Sequence, residues 1–334
     1  MKPLESLLQG LLREHGIEPV LVDVGASGGS PEIWRPIAGQ STYVGFDPDL
    51  REIRRDTVGG YRSGLIINKA LTANPRAESV TFYLTRSPYC SSMLPPDAEA
   101  LAKYSFWELF EVDSTTSVPA TTLMKVLAEQ SLAQVDWLKV DSQGADLRIY
   151  LSLDEPVRHR VLAVDAEPGL IDGYRGEDLF VDVHRHLKAE GFWLSNLNLM
   201  GVPRLSKAAL QALTIRTSAG LPVPPFGALR TSPGWCEARY LRTTEWLVAQ
   251  RCGEREFILA WTFAMLDRQY GHALDLAAAA RTALKNPALA AELWKNAASF
   301  LQPAETGHAA AELPSFPYRI ARKLARVSRR ILGS

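Results

Sequence analysis

The stretch Val22-Asp23-Val24-Gly25-Ala26-Ser27-Gly28-Gly29 constrains this chain more than any other. An apolar run (Val20, Leu21, Val22, Val24) enters a loop of small residues, and a helix start follows. Such a run reads as a buried parallel strand, and small residues let backbone come close to a ligand. Ser30 is placed as the N-cap of the next helix and Pro31 as its first residue, with Glu32 in the first turn. A strand, a glycine loop and a helix N-terminus make a nucleotide-type site in a doubly wound α/β sheet.

Details of the loop choose among nucleotides. The dinucleotide pattern G-x-G-x-x-G uses its second glycine to approach the pyrophosphate. Ser27 stands there, which counts against a nicotinamide-dependent oxidoreductase. The chain carries D-x-G-x-x-x-G instead, through Asp23, Gly25 and Gly29, with Ala26 and Ser27 inside the loop. A carboxylate at the strand end repels pyrophosphate and suits a cationic amino group. S-adenosylmethionine has an amino-acid end, a ribose, an adenine and no phosphate, and is the expected cofactor. A tight strand-to-helix turn with no ligand is the bland alternative.

The second strand, Thr42-Tyr43-Val44-Gly45-Phe46, ends in Asp47-Pro48-Asp49. An acid roughly 20 residues past the glycine loop hydrogen-bonds ribose hydroxyls, and Asp47 has that spacing. Asp49 reads as the cap of a helix through Arg51 to Arg55. The third strand, Leu65-Ile66-Ile67, runs into Asn68-Lys69-Ala70-Leu71, so Asn68 and Ala70 are placed beside the adenine. A later strand ends at Asp141, where Ser142-Gln143-Gly144 opens a helix, and the strand Arg160–Val164 ends in Asp165-Ala166-Glu167-Pro168. Ligands of open α/β sheets bind beyond the carboxyl ends of the strands. These acids therefore converge on one crevice.

Taken together, VDVGASGG, GFDPD, INKAL, SVTFYLT, SPYCSSML, VPATTL, VDWLKVDSQGADL, VLAVDAEP and EGFWLSNLN resemble, in order and spacing, the FkbM family of S-adenosylmethionine-dependent methyltransferases. The likeness covers roughly residues 18–205. It implies a class I methyltransferase fold and O-methylation of a hydroxyl on a sugar, glycolipid or polyketide-like acceptor. The chain departs from the family at three places. Asp47-Pro48 replaces Glu-Pro, Gln143 replaces the second acid of D-x-E-G-x-E, and Met124 replaces the acid after the Val-Pro strand.

For methyl transfer to a hydroxyl, the enzyme holds the reacting atoms in line and removes the hydroxyl proton. Asp141 is the first candidate base and Glu167 the second. His184 and His186, on a helix before Gly191, are also open to the role. The acids are scattered without a His/Cys ligand cluster, so no metal centre is expected.

The segment 72–134 reads as an insertion with a strand at Val80–Leu84 and another ending at Thr121. Its aromatics, Tyr104, Phe106, Trp107 and Phe110, either stack on an acceptor ring or form the core of a lid. The resulting layout has an N-terminal helix (1–17), a methyltransferase domain (18–205), a linker (206–235) containing Pro222, Pro224, Pro225 and Gly227, a helical region (236–310) and a basic amphipathic tail (311–334). The helical region is a candidate homodimer surface. The tail, acid-free from Phe316, either lies on an anionic membrane surface or docks on protein. Zero formal net charge counts against a nucleic-acid binder. No apolar run has the length of a membrane span, and the start shows no signal-peptide pattern. The three cysteines include no C-x-x-C, which suits a reducing cytoplasm.

Overall fold

Every side chain of strand β1 (Val20–Val24) is buried, as a strand paired on both edges and covered on both faces requires. The computed structural model describes residues 3–26, 29–48, 58–213 and 229–301. On one side β1 pairs in parallel with β2 (Thr42–Phe46), which pairs with β3 (Ser63–Ile67). On the other it pairs in parallel with β7 (Trp137–Val140), which pairs with β8 (Ala163–Ala166). β10 (Thr231–Arg242) joins β8 antiparallel, and β9 (Phe192–Pro203) closes the sheet antiparallel to β10. The full order is β3-β2-β1-β7-β8-β10-β9. The winding reverses between β1 and β7, and such a switch point opens a crevice beyond the carboxyl ends.

Strand alternation sorts the two faces. Val22, Val24, Val44, Phe46, Leu138 and Val140 share a core with Leu123, Val126, Leu127, Ile149, Tyr150, Val183 and Leu187. These last come from the helices Leu123–Glu129, Asp146–Leu151 and Phe180–Ala189. Met124 packs half-buried against the same core. On the opposite face Trp34, Tyr43, Trp137 and Phe263 form a chain of ring contacts with centroids 4.8–6.3 Å apart. Phe263 lies on the helix Glu254–Leu266, whose residues from Phe257 onward are all buried. A helix apolar all round must be covered on every side. The sheet lies on one side, and the helix Tyr270–Ala283, itself packed on Pro287–Ser299, on another.

Two local expectations are corrected. The segment after the glycine loop is a 3-10 helix, Glu32–Gln40, whose cap is Pro31; Ser30 makes no cap. Pro36 lies inside it and offers no N–H for an α-helical bond. The helical reading of the chain from residue 236 is also wrong at its start, because β10 runs to Arg242. Cys236, Ala238 and Tyr240 alternate inward between Trp235, Glu237 and Arg239, a period of two rather than 3.6. Beyond Thr243 the helices are as expected. The insertion forms a small sheet in which β6 (Val112–Thr121) pairs with β4 (Ala70–Leu71) in parallel and with β5 (Ser79–Thr85) antiparallel. Pro222, Pro224, Pro225, Gly227 and the basic tail lie outside the described residues. Among the described residues no helix is long and apolar enough to cross a membrane.

Candidate functional site

Gly25 turns the chain at the end of β1 with φ +78°, a conformation that favours glycine. A Cβ there would stand 2.3 Å from the Asp141 carbonyl oxygen, so the β1 and β7 loops meet in direct backbone contact. The Gly25 and Ala26 N–H groups donate to Phe46 O at 2.9 and 3.0 Å, tying the loop to the end of β2. Ala26 is buried there, and Gly29 takes φ +115°. Ser27, Gly28 and Asp49 lie outside the described residues.

Asp23 does not reach the crevice. It is wholly buried in β1, and its carboxylate accepts from Tyr43 Oη at 2.9 Å and Lys139 Nζ at 3.0 Å. The acid was expected to meet a cationic ligand, but strand alternation turns it toward Lys139 of the adjacent strand. Burial raises its proton affinity, and Lys139 and Tyr43 oppose that. Lys139 also donates to Gly25 O at 3.3 Å, so the pair braces the loop from behind. Burial alone lowers the Lys139 ammonium, but Asp23, Asp141 and Glu167 together raise it.

A cavity of about 670 Å³ lies beyond the carboxyl ends of the strands. Gly25, Asp47, Ala70, Asp141 and Glu167 line it together. Asn68 is held one layer back, its amide donating to Asp47 O at 2.9 Å. His184 stacks on Phe180, and His186 lies 3.1 Å from Glu190 Oε1; neither lines the cavity.

The β7 and β8 ends are tied to each other. Asp146, buried at the start of its helix, accepts from Ser142 Oγ at 2.6 Å and from the Glu167 N–H at 2.8 Å. Burial raises its carboxyl to about 6. Glu167 is raised further, to about 8, first by burial and then by the neighbouring Asp141 charge, with Lys139 pulling the other way. Asp141 Oδ1 accepts from Gln143 Nε2 at 2.7 Å. Tyr174 Oη lies 2.9 Å from both Gln143 Oε1 and Cys90 O.

The remaining wall comes from the insertion, from the loop after β8, and from β9 and β10. Phe82, Leu101, Phe106, Leu109, Phe110, Ile171, Val202 and Trp235 make it strongly apolar. Phe106 contacts Phe110, and Phe110 contacts Tyr174, at centroid distances of 5.6 and 5.5 Å. Phe106 and Phe110 thus pack on one another and face the cavity as well, whereas Tyr104, packed on Phe106, and Trp107, under Lys207, do not line it. Glu177 lines the same wall, and the N–H of Tyr174, three residues earlier, donates to Glu177 Oε2 at 2.8 Å. Glu177 Oε1 is buried without a partner among the described residues, and burial raises the carboxyl to about 7.

Sequence reasoning missed Lys139, Tyr174 and Glu177. Lys139 had a signal: a lysine inside the apolar strand Trp137–Val140 needs a buried partner. Tyr174 and Glu177 sit in a loop with no periodicity to mark them.

Chemically, the described lining offers the carboxyls of Asp47 and Asp141, and those of Glu167 and Glu177 with raised proton affinity, against one cation, Lys69. That set disfavours a pyrophosphate and fits a ligand carrying positive charge, as a sulfonium with an amino group does. Asp47 and Gly25 lie on this same lining, at the ends of β2 and β1.

Comparison with known proteins follows the same direction. Residues 23–194, just over half of the chain, match the family described as the methyltransferase FkbM domain. No curated protein matches the chain. Among solved structures, a TehB-like S-adenosylmethionine-dependent methyltransferase from Corynebacterium glutamicum ATCC 13032 Kitasato is similar at 9% identity and a TM-score of 0.27. That similarity covers 73% of this chain and 89% of the other. On its sequence pattern, the family match and its sheet, the chain belongs to the FkbM family of S-adenosylmethionine-dependent methyltransferases.

Proposed function

We propose that this methyltransferase acts on oxygen, methylating a hydroxyl of an acceptor whose apolar or ring face rests on the aromatic wall. The acceptor classes that suit such a wall are glycolipids, sugars presented by their apolar ring face, and polyketide-like molecules. The observation that carries the reading is Glu167, a cavity-lining carboxyl raised to about 8. A hydroxyl is a poor nucleophile until its proton has somewhere to go. A base works best when its proton affinity lies near the working pH, and general-base catalysis contributes roughly 10²–10⁴-fold.

Bound S-adenosylmethionine supplies an electrophilic methyl on a sulfonium. Asp47 is the residue to hold the ribose, the Gly25–Gly29 loop the amino-acid end, and the Lys69–Ala70 edge the adenine. Glu167, in its ionised form, would accept the proton of the acceptor hydroxyl as that oxygen takes the methyl group and the methyl–sulfur bond breaks, its electron pair leaving with the sulfur as a neutral thioether. Asp141 stands beside it as a fixed negative charge. Phe82, Phe106 and Phe110 exclude water and orient the acceptor, which supplies the proximity term.

The test is a panel of acceptors matched in shape but differing in the reactive atom: hydroxyl, amine and thiol. Product is read by mass spectrometry and by the chemical shift of the transferred methyl. The expected product is an O-methyl ether, formed with kcat/KM rising as pH passes about 8, where Glu167 ionises. Exclusive N- or S-methylation, or a rate flat between pH 6 and 9, would overturn the reading.

A further inference from the structure

Gln143 holds an unusual backbone conformation, with φ +55°. Among the described residues Ser131, Arg251 and Arg268 share that region, and each directly follows the last turn of a helix. Left-handed residues are ordinary at such positions. Gln143 ends no helix. It lies between β7 and the helix Asp146–Leu151, on the cavity wall. A strained residue persists where its surroundings over-determine it, and such residues cluster at working sites.

Three separate parts of the chain hold Gln143. Ser92 Oγ of the insertion donates to its carbonyl oxygen at 2.7 Å. Tyr174 Oη, from the loop after β8, donates to Oε1 at 2.9 Å. Its own Nε2 donates to Asp141 Oδ1 at 2.7 Å. The Tyr174 hydroxyl has one hydrogen for two acceptors, Gln143 Oε1 and Cys90 O, each at 2.9 Å; given to Oε1, it matches the amide turned with its N–H end to Asp141, the end a carboxylate needs. A carboxylate at this position, which the family pattern places here, has no hydrogen to give Asp141. Two like charges would then share one site.

We propose that Gln143 is a positioning residue: its amide, bridging Tyr174 and Asp141, holds the Asp141 carboxylate in place beside Glu167, so that Glu167 is the group that receives the hydroxyl proton. The inference rests on the reading of Glu167 as the base. Glu167 is also faced by Lys139 from β7, Asp146 from the following helix, and Glu237 and Cys236 from β10. Those groups are the same in every variant below. Burial and Asp141 raise its proton affinity, and Lys139 lowers it.

The experiment titrates the full chain, labelled with ¹³C at the glutamate carboxyl, by NMR between pH 5 and 10. Glu167→Gln assigns the Glu167 signal. Gln143→Glu adds a negative charge next to Asp141, so the Glu167 midpoint moves up, by about 0.5 pH unit or more. In Gln143→Leu, Asp141 loses its donor and is free to turn away from Glu167, so the Glu167 midpoint moves down. Tyr174→Phe frees the amide to turn and moves it in the same direction as Gln143→Leu. It serves as the second probe if Gln143→Leu folds poorly. Opposite shifts from Gln143→Glu on the one hand and Gln143→Leu or Tyr174→Phe on the other support the proposal, since a merely structural role has no reason to reverse sign. A midpoint near 8 that stays put in the folded variants, or moves the same way in all, overturns it and leaves the base reading intact. A wild-type midpoint at the ordinary glutamate value overturns both.

Discussion

Strands β7 and β8 carry acids in two settings, and the contrast separates structure from chemistry. Asp136, just before β7, receives both Arg255 Nη1 and Nη2 at 2.8 Å and the Val20 N–H at 2.8 Å. Asp165, within β8, receives Arg239 Nε and Nη2 at 2.7 and 3.0 Å, while Asp267 takes Arg239 Nη1 at 2.8 Å. At the carboxyl ends of the same strands, Asp141 and Glu167 have no arginine partner among the described residues. One is held by an amide, and the other is perturbed upward by burial and by its neighbour. A buried carboxylate matched by a guanidinium is a finished interaction. One raised in proton affinity and open to a cavity is still available to a substrate.

If that division is right, the two sets respond oppositely to mutation. Glu167→Gln keeps shape and removes the base, so kcat falls by roughly 10²–10⁴-fold while the unfolding midpoint in urea does not fall. A variant that retains its kcat would break the comparison on the chemical side. Asp136→Ala strands Arg255 and the Val20 N–H, and costs about 3–5 kcal/mol of stability by urea unfolding. Asp141→Ala, in contrast, should stay within about 1 kcal/mol of the parent. Equal losses from the two aspartates would mean that both ends of β7 are structural.

Much of this could be read from local runs. The strand and glycine loop at Val20–Gly29 and the acid ending β7 are short-range patterns, and the sheet they imply is the sheet observed. What escaped depends on distant partners. Asp23 looked like a ligand group because Lys139, 116 residues later in the chain, is invisible to a local reading. β10 looked helical because Tyr240, Leu241, Trp246 and Leu247 fit a helical face, although the first two lie in a strand and the last two in the next helix. Pro36 was in plain view and should have weakened the α-helix expected after Ser30. Tyr174 and Glu177 sit in an irregular loop that only the fold brings to the cavity.

Two smaller effects sharpen the same contrast. Asp47→Ala removes the group assigned to the ribose, so affinity for S-adenosylmethionine should drop roughly 10- to 100-fold by calorimetry, as expected for hydrogen bonds to a charged acceptor. Thermal stability should also depend on pH in an uncommon direction. Glu167 and Asp146 are raised to about 8 and about 6 from ordinary values of 4.5 and 3.8, so the folded chain binds more protons than the unfolded one over that interval. Stability conferred by these groups is therefore present at low pH and lost as pH rises toward 8. Glu167→Gln should flatten the decline, leaving Tm at pH 9 higher than the parent by about 2 °C. A parent Tm that climbs from pH 6 to 9 would show that Glu167 and Asp146 are not held neutral.

The most direct measurement is calorimetric titration of S-adenosylmethionine into the full chain, with Asp47→Ala beside it and Asp165→Asn as the matched-acid control. The account predicts micromolar binding by the parent, a loss of at least about tenfold in Asp47→Ala, and parent-like affinity in any Asp165→Asn protein that folds. Folded parent protein that binds no S-adenosylmethionine, or that loses affinity equally in both variants, would contradict the assignment of the open rim as the cofactor site.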